Sequence, residues 1–279
     1  MDNIILTDFL TLTAIALTAA LILYFVSQKF KVDEDPRIAE VEAMLPQANC
    51  GACGRAGCHD FAVACTKCTP QGFAKLYCPV GGQKVMNKVA AYLGMEAAIK
   101  EDTVAVLRCN GSCLNAPAKI DYNGIKFCRI ANTISSGQSG CPDGCLRLGD
   151  CIKVCKFGAL SLNPQTGLPQ VDENKCTSCG ACVNICPRNL FEIRPKGANN
   201  ERVYVACRNR QKGAVARKNC SAACIACMKC AKICPEIKIE DNLSYIPTNV
   251  NAAEFGTKLA ETCPTGAIVH IHPKEKLHD

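Results

Sequence analysis

Cysteine spacing constrains this chain more than any other feature. Of its 279 residues, 24 are cysteine, and most stand in tight Cys-x2-Cys steps, where two side chains converge on one metal centre. Tryptophan is absent and aromatic residues make up 5% of the chain. Ordinary core packing is therefore not the main organiser, and small modules held by cross-links are expected. Disulfides serve that purpose in short secreted chains, whereas dense Cys-x2-Cys steps in a reducing compartment read as metal or redox sites.

The sharpest motif is Cys176-x2-Cys179-x2-Cys182-x3-Cys186-Pro187. This is the bacterial ferredoxin spacing, in which three cysteines wrap one cubane and the fourth ligates the other cluster of a pair. Gly180 and Ala181 are small enough for the tight loop that aims three sulfurs at adjacent irons. A zinc ribbon needs only two Cys-x2-Cys pairs. Upstream, Cys141-x3-Cys145-x5-Cys151-x3-Cys155 is a stretched version of the same run, with Lys156 in place of the usual proline. Crossing the ligands as in two-cluster ferredoxins predicts one cluster on Cys141, Cys145, Cys151 and Cys186, and another on Cys155, Cys176, Cys179 and Cys182.

Downstream, Cys224-x2-Cys227-x2-Cys230-x3-Cys234-Pro235 repeats the full run, but only Cys263-Pro264 remains of its partner. The same crossing predicts a cluster on Cys224, Cys227, Cys230 and Cys263 and leaves Cys234 over. Either the chain has dropped a cluster here, or Cys207 and Cys220 join Cys234 at an irregular site. Near the N-terminus, Cys50, Cys53, Cys58 and Cys78 stand among glycines 51, 54 and 57 and suit a loop around one further cubane. His59 beside them reads as a hydrogen-bonding surface histidine. Cys65 and Cys68 lack clear partners and read as free thiols. Cys109, Cys113 and Cys128 flank an expected hairpin at DYNGIKF and could hold another cluster with a borrowed ligand. The expectation is four to six 4Fe–4S clusters.

The formal charge of +7 counts the cysteines as neutral. An oxidised cubane with its four thiolates carries about −2, so five of them would contribute about −10 and leave the loaded chain mildly acidic. No nucleic-acid partner is expected.

From Ile4 to Val26 the chain is apolar over 23 residues, broken by Asp8 and four threonines, long enough to cross a hydrocarbon layer of about 30 Å. A secretory signal would begin with a basic region and have a shorter apolar stretch. The basic residues Lys29 and Lys31 follow the helix, which places the soluble part in the cytoplasm.

The fold class expected is α+β. A membrane anchor over 1–27 and a linker over 28–46, with a short helix at DPRIAEVEAML, lead to a small four-cysteine domain over 47–94. A connecting segment over 95–135 follows, with a strand at TVAVLRC. A two-cluster ferredoxin-like module over 136–196, a second, degenerate one over 197–272 and a solvated tail over 273–279 complete the chain. The tandem reading rests on a fourfold recurrence, in which Cys155, Cys186, Cys234 and Cys263 each precede a strand-like run.

The N-terminal helix, the segments LPQANCGACGRAGCHDFA and YCPVGG, and CPDGCLRLGDCIKVCKFGAL followed by CTSCGACVNICP together resemble the B subunit of the Rnf electron transport complex over nearly the whole chain. The resemblance implies an iron–sulfur subunit of a translocase at the bacterial cytoplasmic membrane. It implies partners in the other membrane and NAD- or flavin-binding subunits, ferredoxin as electron donor, and coupling to Na⁺ or H⁺ export. The chain shows no flavin site, dinucleotide fingerprint or acid–base pair, so no independent catalytic site is expected. Two other readings compete: a reductive activator of a corrinoid protein, whose cluster domain the four-cysteine segment also resembles, and a non-redox scaffold whose clusters only staple the fold.

Overall fold

The computed structural model describes residues 2–29, 34–134 and 137–272; Lys31 and the expected tail 273–279 lie outside them. Helix α1 (Asp2–Lys29) contains a span, Thr7–Lys29, with mean hydropathy 2.3 and no residue of it buried against the rest of the chain. Its threonine hydroxyls bond back onto the helix, Thr11 to the Asp8 carbonyl at 2.9 Å and Thr18 to the Ala14 carbonyl at 3.0 Å. That leaves no hydroxyl of these two unsatisfied in an apolar surrounding.

A small helical body follows, made of α2 (Pro36–Met44), α3 (Cys58–Lys67), α4 (Pro70–Phe73) and α5 (Gly82–Leu93). Helix α2 falls where the sequence predicts it, because Asp35 caps it by accepting from the Arg37 N–H and Pro36 opens its first turn. Gly94 closes α5 with a φ of 67°, a left-handed conformation that suits glycine. Ile38, Val41, Phe61, Phe73, Met86 and Val89 form its buried core.

The remaining chain folds into two units of the same topology. In the first, β1 (Thr103–Leu107) pairs antiparallel with β4 (Phe191–Pro195). Between them in sequence lie α6 (Cys128–Ile134), α7 (Asp150–Lys153), the hairpin of β2 (Leu160–Leu162) and β3 (Pro169–Val171), and α8 (Ala181–Ile185). In the second, β5 (Arg202–Val205) pairs antiparallel with β8 (Ile268–Ile271) and encloses α9 (Gly213–Asn219), α10 (Lys229–Ile233), the hairpin of β6 (Lys238–Glu240) and β7 (Leu243–Tyr245), and α11 (Ala252–Thr262). The four strand-like runs that follow Cys155, Cys186, Cys234 and Cys263 are strands β2, β4, β6 and β8. No strand forms at Asp121–Phe127, where the sequence predicts a hairpin; the Tyr122 hydroxyl instead donates to the Ile125 carbonyl at 3.1 Å. The first sheet opens with β1, inside the segment read from sequence as a connection.

The alternation of a strand explains how the units meet. Ala105 of β1 points into the first unit, against Cys151, Leu160, Cys182 and Phe191. Val104 and Val106 point the other way and pack on Tyr204 and Ala206 of the second. A buried polar network crosses the same junction. Arg108 reaches Glu192 at 3.2 Å and the Val205 carbonyl at 3.3 Å, and Arg194 donates to the carbonyls of Val203 and Ile246. Charges this deeply buried persist because each is paired and hydrogen-bonded.

Helix α11 occupies the part of the second unit where the sequence has lost a Cys-x2-Cys-x2-Cys run. Its Leu259 is fully buried beside Val250, Ile246 and Cys234, so apolar packing stands where the first unit has cysteines. Leu259→Ala is expected to destabilise this unit by about 3 kcal/mol, read as a lower denaturant midpoint with iron content unchanged. An unchanged midpoint would refute that role for α11.

Candidate metal centres

Among the described residues, cysteine side chains converge on five cavities. The cavity of the helical body is lined by Cys50, Cys53, Cys58 and Cys78. The loop that carries the first two turns through Gly51 and Gly54, at φ of 71° and 78°, and a Cβ on Gly57 would come 2.8 Å from Asn49 Oδ1. The Asn49 side chain accepts from the Cys58 N–H at 2.8 Å, and the Gly81 N–H donates to Cys78 Sγ at 3.4 Å.

His59 lies outside this cavity. Its ring meets Glu42 at 2.8 Å and is half exposed; that hydrogen bond raises its pKa above the ordinary histidine value. Cys65 is buried in the helical core, and burial pushes its thiol up to about 12. Cys68 Sγ donates to the Cys65 carbonyl at 3.2 Å. Neither lines the cavity.

In the first unit, one cavity gathers Cys155, Cys176, Cys179 and Cys182, the set reached by crossing the two runs. The second gathers Cys145, Cys151 and Cys186 with Cys128, not with Cys141 as the spacing predicts. Two local features account for the difference. Helix α6 starts at Cys128 and docks its first turn on α7, the Arg129 N–H donating to Asp150 Oδ2 at 3.4 Å. Cys141 precedes a turn, closed by the Gly144 N–H on the Cys141 carbonyl, and its sulfur accepts from Asn209 Nδ2 at 3.3 Å, which turns it to the second unit.

The second unit's own cavity holds Cys224, Cys227, Cys230 and Cys263, again the crossed set. Here Cys230 Sγ contacts the Ser244 hydroxyl at 3.2 Å, and Cys263 Sγ contacts the Thr265 hydroxyl at 3.7 Å. The fifth cavity lies between the units and is lined by Cys109, Cys141, Cys207 and Cys220, with Cys145 at its edge. Cys234, buried in the same core as Cys207 and Cys220, does not line this cavity, and Cys113 is exposed and lines no described cavity. Spacing alone missed the grouping of Cys109, Cys141, Cys207 and Cys220. One signal was available: Cys109 and Cys207 each follow the last residue of a β-rich run by two positions.

The donor sets fit 4Fe–4S clusters. Each cavity brings four thiols together with apolar side chains around them, and backbone N–H groups donate to several sulfurs: Ala159 to Cys155, Leu190 to Cys186 and Arg147 to Cys145, at 3.3 to 3.4 Å. Such bonds favour the thiolate that iron requires. Burial alone does the reverse, pushing the thiols of Cys151, Cys182 and Cys207 up to about 12.

Known proteins point the same way. Residues 45–69 match a family of Fe–S cluster domains, and residues 169–192 match the 4Fe–4S binding domain. The chain is 36% identical to the B subunit of the ion-translocating oxidoreductase complex of Methanosarcina acetivorans, covering 99% of both chains. It is 37% identical to the B subunit of the proton-translocating ferredoxin:NAD(+) oxidoreductase complex of Clostridium ljungdahlii, over 96% of this chain and 93% of that one. It is 41% identical to the Na(+)-translocating counterpart of Acetobacterium woodii over 80% of this chain and 65% of that one. A cysteine-rich chain whose N-terminal helix is long and apolar enough to cross a membrane, matched from end to end by such relatives, belongs to the family of ion-translocating oxidoreductase complex B subunits.

Proposed function

We propose that this chain is the electron relay of a membrane-bound complex that couples electron flow between ferredoxin and NAD to translocation of Na⁺ or H⁺. The two units are tandem ferredoxin-like modules, the second degenerate. The observation that carries this reading is the convergence of cysteines from distant points of the sequence, four to a cavity.

Four sites follow from it. One is held by Cys50, Cys53, Cys58 and Cys78, and one by Cys155, Cys176, Cys179 and Cys182. A third is held by Cys128, Cys145, Cys151 and Cys186, and a fourth by Cys224, Cys227, Cys230 and Cys263. A 4Fe–4S cluster bound at such a site supplies one-electron redox chemistry. The chain's own residues hold each site's thiolates in place, direct backbone N–H groups at their sulfurs, and keep water out with side chains such as Phe61, Leu190 and Phe191. Reduction and oxidation of NAD belong to another subunit. The soluble part lies on the cytoplasmic side, next to Lys29, with α1 crossing the membrane once.

Anaerobically purified chain is expected to carry at least about 16 iron atoms and as many sulfides, with EPR signals that appear on adding reduced ferredoxin. About one zinc with little iron would overturn the reading, and clusters that no ferredoxin-range reductant can reduce would favour the scaffold. Deletion of the residues before Gln28 should release a soluble chain that keeps all its iron, because every cysteine lies beyond α1. A truncated chain that still partitions into membranes without partner subunits would refute the anchor.

A further inference from the structure

The fifth cavity differs from the other four in taking its cysteines from both units. Cys109 leaves the end of β1 and Cys141 precedes α7, both in the first unit; Cys207 leaves the end of β5 and Cys220 caps α9, both in the second. Cys109 and Cys207 reach it by the same route, two residues beyond paired outer strands, and the Asn110 N–H donates to the Ala206 carbonyl at 2.9 Å to hold those two strand ends together. Cys141, Cys207 and Cys220 are all buried.

The surroundings of these sulfurs are those of a ligand site. Asn209 Nδ2 donates to Cys141 Sγ at 3.3 Å, and the Cys145 N–H approaches Cys109 Sγ at 3.5 Å. Space is kept open beside them by glycines. A Cβ on Gly111 would lie 3.4 Å from Cys109 Sγ and 3.7 Å from Cys220 Sγ, and one on Gly144 would lie 3.3 Å from Cys141 Sγ. One side chain at Gly111 would therefore touch sulfurs from both units, which shows how closely they converge. Arg147 braces the loop that carries Gly111, its guanidinium donating to the carbonyls of Gly111, Ser112 and Ala116 at 2.7 to 2.9 Å.

We propose that Cys109, Cys141, Cys207 and Cys220 bind a fifth 4Fe–4S cluster that joins the two units. These four residues would hold the cluster as thiolates, each giving up its proton as its sulfur binds iron, and the cluster would supply one-electron redox chemistry. The inference rests on the relay reading and adds the element it otherwise lacks. Cys145 lines both this cavity and that of Cys128, Cys151 and Cys186. On the other side, Cys207 belongs to the buried core of the second unit together with Cys224 and Cys230. The fifth site thus stands between the sites of the two units. Because tunnelling falls off exponentially with distance, a redox centre there decides whether the second unit exchanges electrons with the first.

The test uses full-length chain purified anaerobically. Five sites predict about 20 iron atoms in the wild type. Cys109→Ala and Cys220→Ala, one from each unit, should each fall to about 16 and lose the EPR broadening that neighbouring reduced clusters impose on one another, while Cys113→Ala keeps the wild-type values. A wild type with about 16 iron atoms, or Cys109→Ala and Cys220→Ala variants that keep the wild-type count, would overturn the fifth site. Should those variants fail to fold, replacement of Cys65, Cys68, Cys113 and Cys234 by alanine settles the point. Retention of about 20 iron atoms leaves no other four cysteines to hold them, and a fall to about 16 overturns the proposal. A wild type without iron would instead sink the relay reading, so the two failures are distinct.

Discussion

Cys186→Ser and Cys155→Ser are expected to remove different clusters, each from the run to which the cysteine does not belong. Cys186 follows Cys182 by four positions in sequence, yet its side chain shares a cavity with Cys128, Cys145 and Cys151. Cys155 shares one with Cys176, Cys179 and Cys182. The cause is the antiparallel arrangement of the unit: the end of each cysteine run leads into a strand that crosses to the start of the other. Each variant should lose up to about four iron atoms, with the EPR signals of the two losses unlike each other. Two further variants sharpen the result. Cys128→Ala should reproduce Cys186→Ser, and Cys141→Ala should not. If Cys186→Ser abolishes the cluster of Cys176, Cys179 and Cys182, crossing is wrong; if Cys141→Ala matches Cys186→Ser, the ligand set is the one that spacing predicts.

Removal of iron is expected to unfold the first α+β unit while the helical body and the second unit keep more of their structure. Against its cysteines the first unit buries Ala105, Leu160 and Phe191, which pack with Cys151 and Cys182. The second unit buries Val203, Val205, Ile237, Leu243, Ile246, Val250, Leu259 and Ile268 beside its cysteines. Apolar packing this sparse around the cysteines offsets little of the ordering of the first unit, and thiols that burial holds protonated near a pKa of 12, such as Cys151 and Cys182, add no cohesion of their own. Thiolate ligation is therefore folding energy here. The helical body differs, with Ile38, Val41, Phe61, Phe73, Met86 and Val89 all buried around its single cysteine cavity. Segment-resolved hydrogen exchange after chelation should show amides of β1 and β4 exchanging freely before those of α3, α5 and α11. Protected β1 and β4 amides in iron-free chain would mean that the clusters are passengers rather than staples.

The chemistry of this chain is written in short range. A Cys-x2-Cys-x2-Cys loop brings three sulfurs together with little help from the rest of the fold, which is why the sets built on Cys176, Cys179 and Cys182 and on Cys224, Cys227 and Cys230 converge as spacing predicts. An apolar run of 23 residues forms a helix by itself, and the strands after Cys155, Cys186, Cys234 and Cys263 are marked by a repeated pattern. Where the spacing stretches, local sequence loses its hold. The x3 and x5 steps around Cys145 leave Cys141 free to turn away, and its partner is chosen by Asn209, 68 residues on. Cys128 gains its place only because α6 docks on Asp150, and Cys109 meets Cys220 only because β1 lays Val104 and Val106 against the second unit. Those contacts join residues distant in sequence through packing and buried hydrogen bonds, whose energies exist only once both partners are folded, so no spacing rule could announce them.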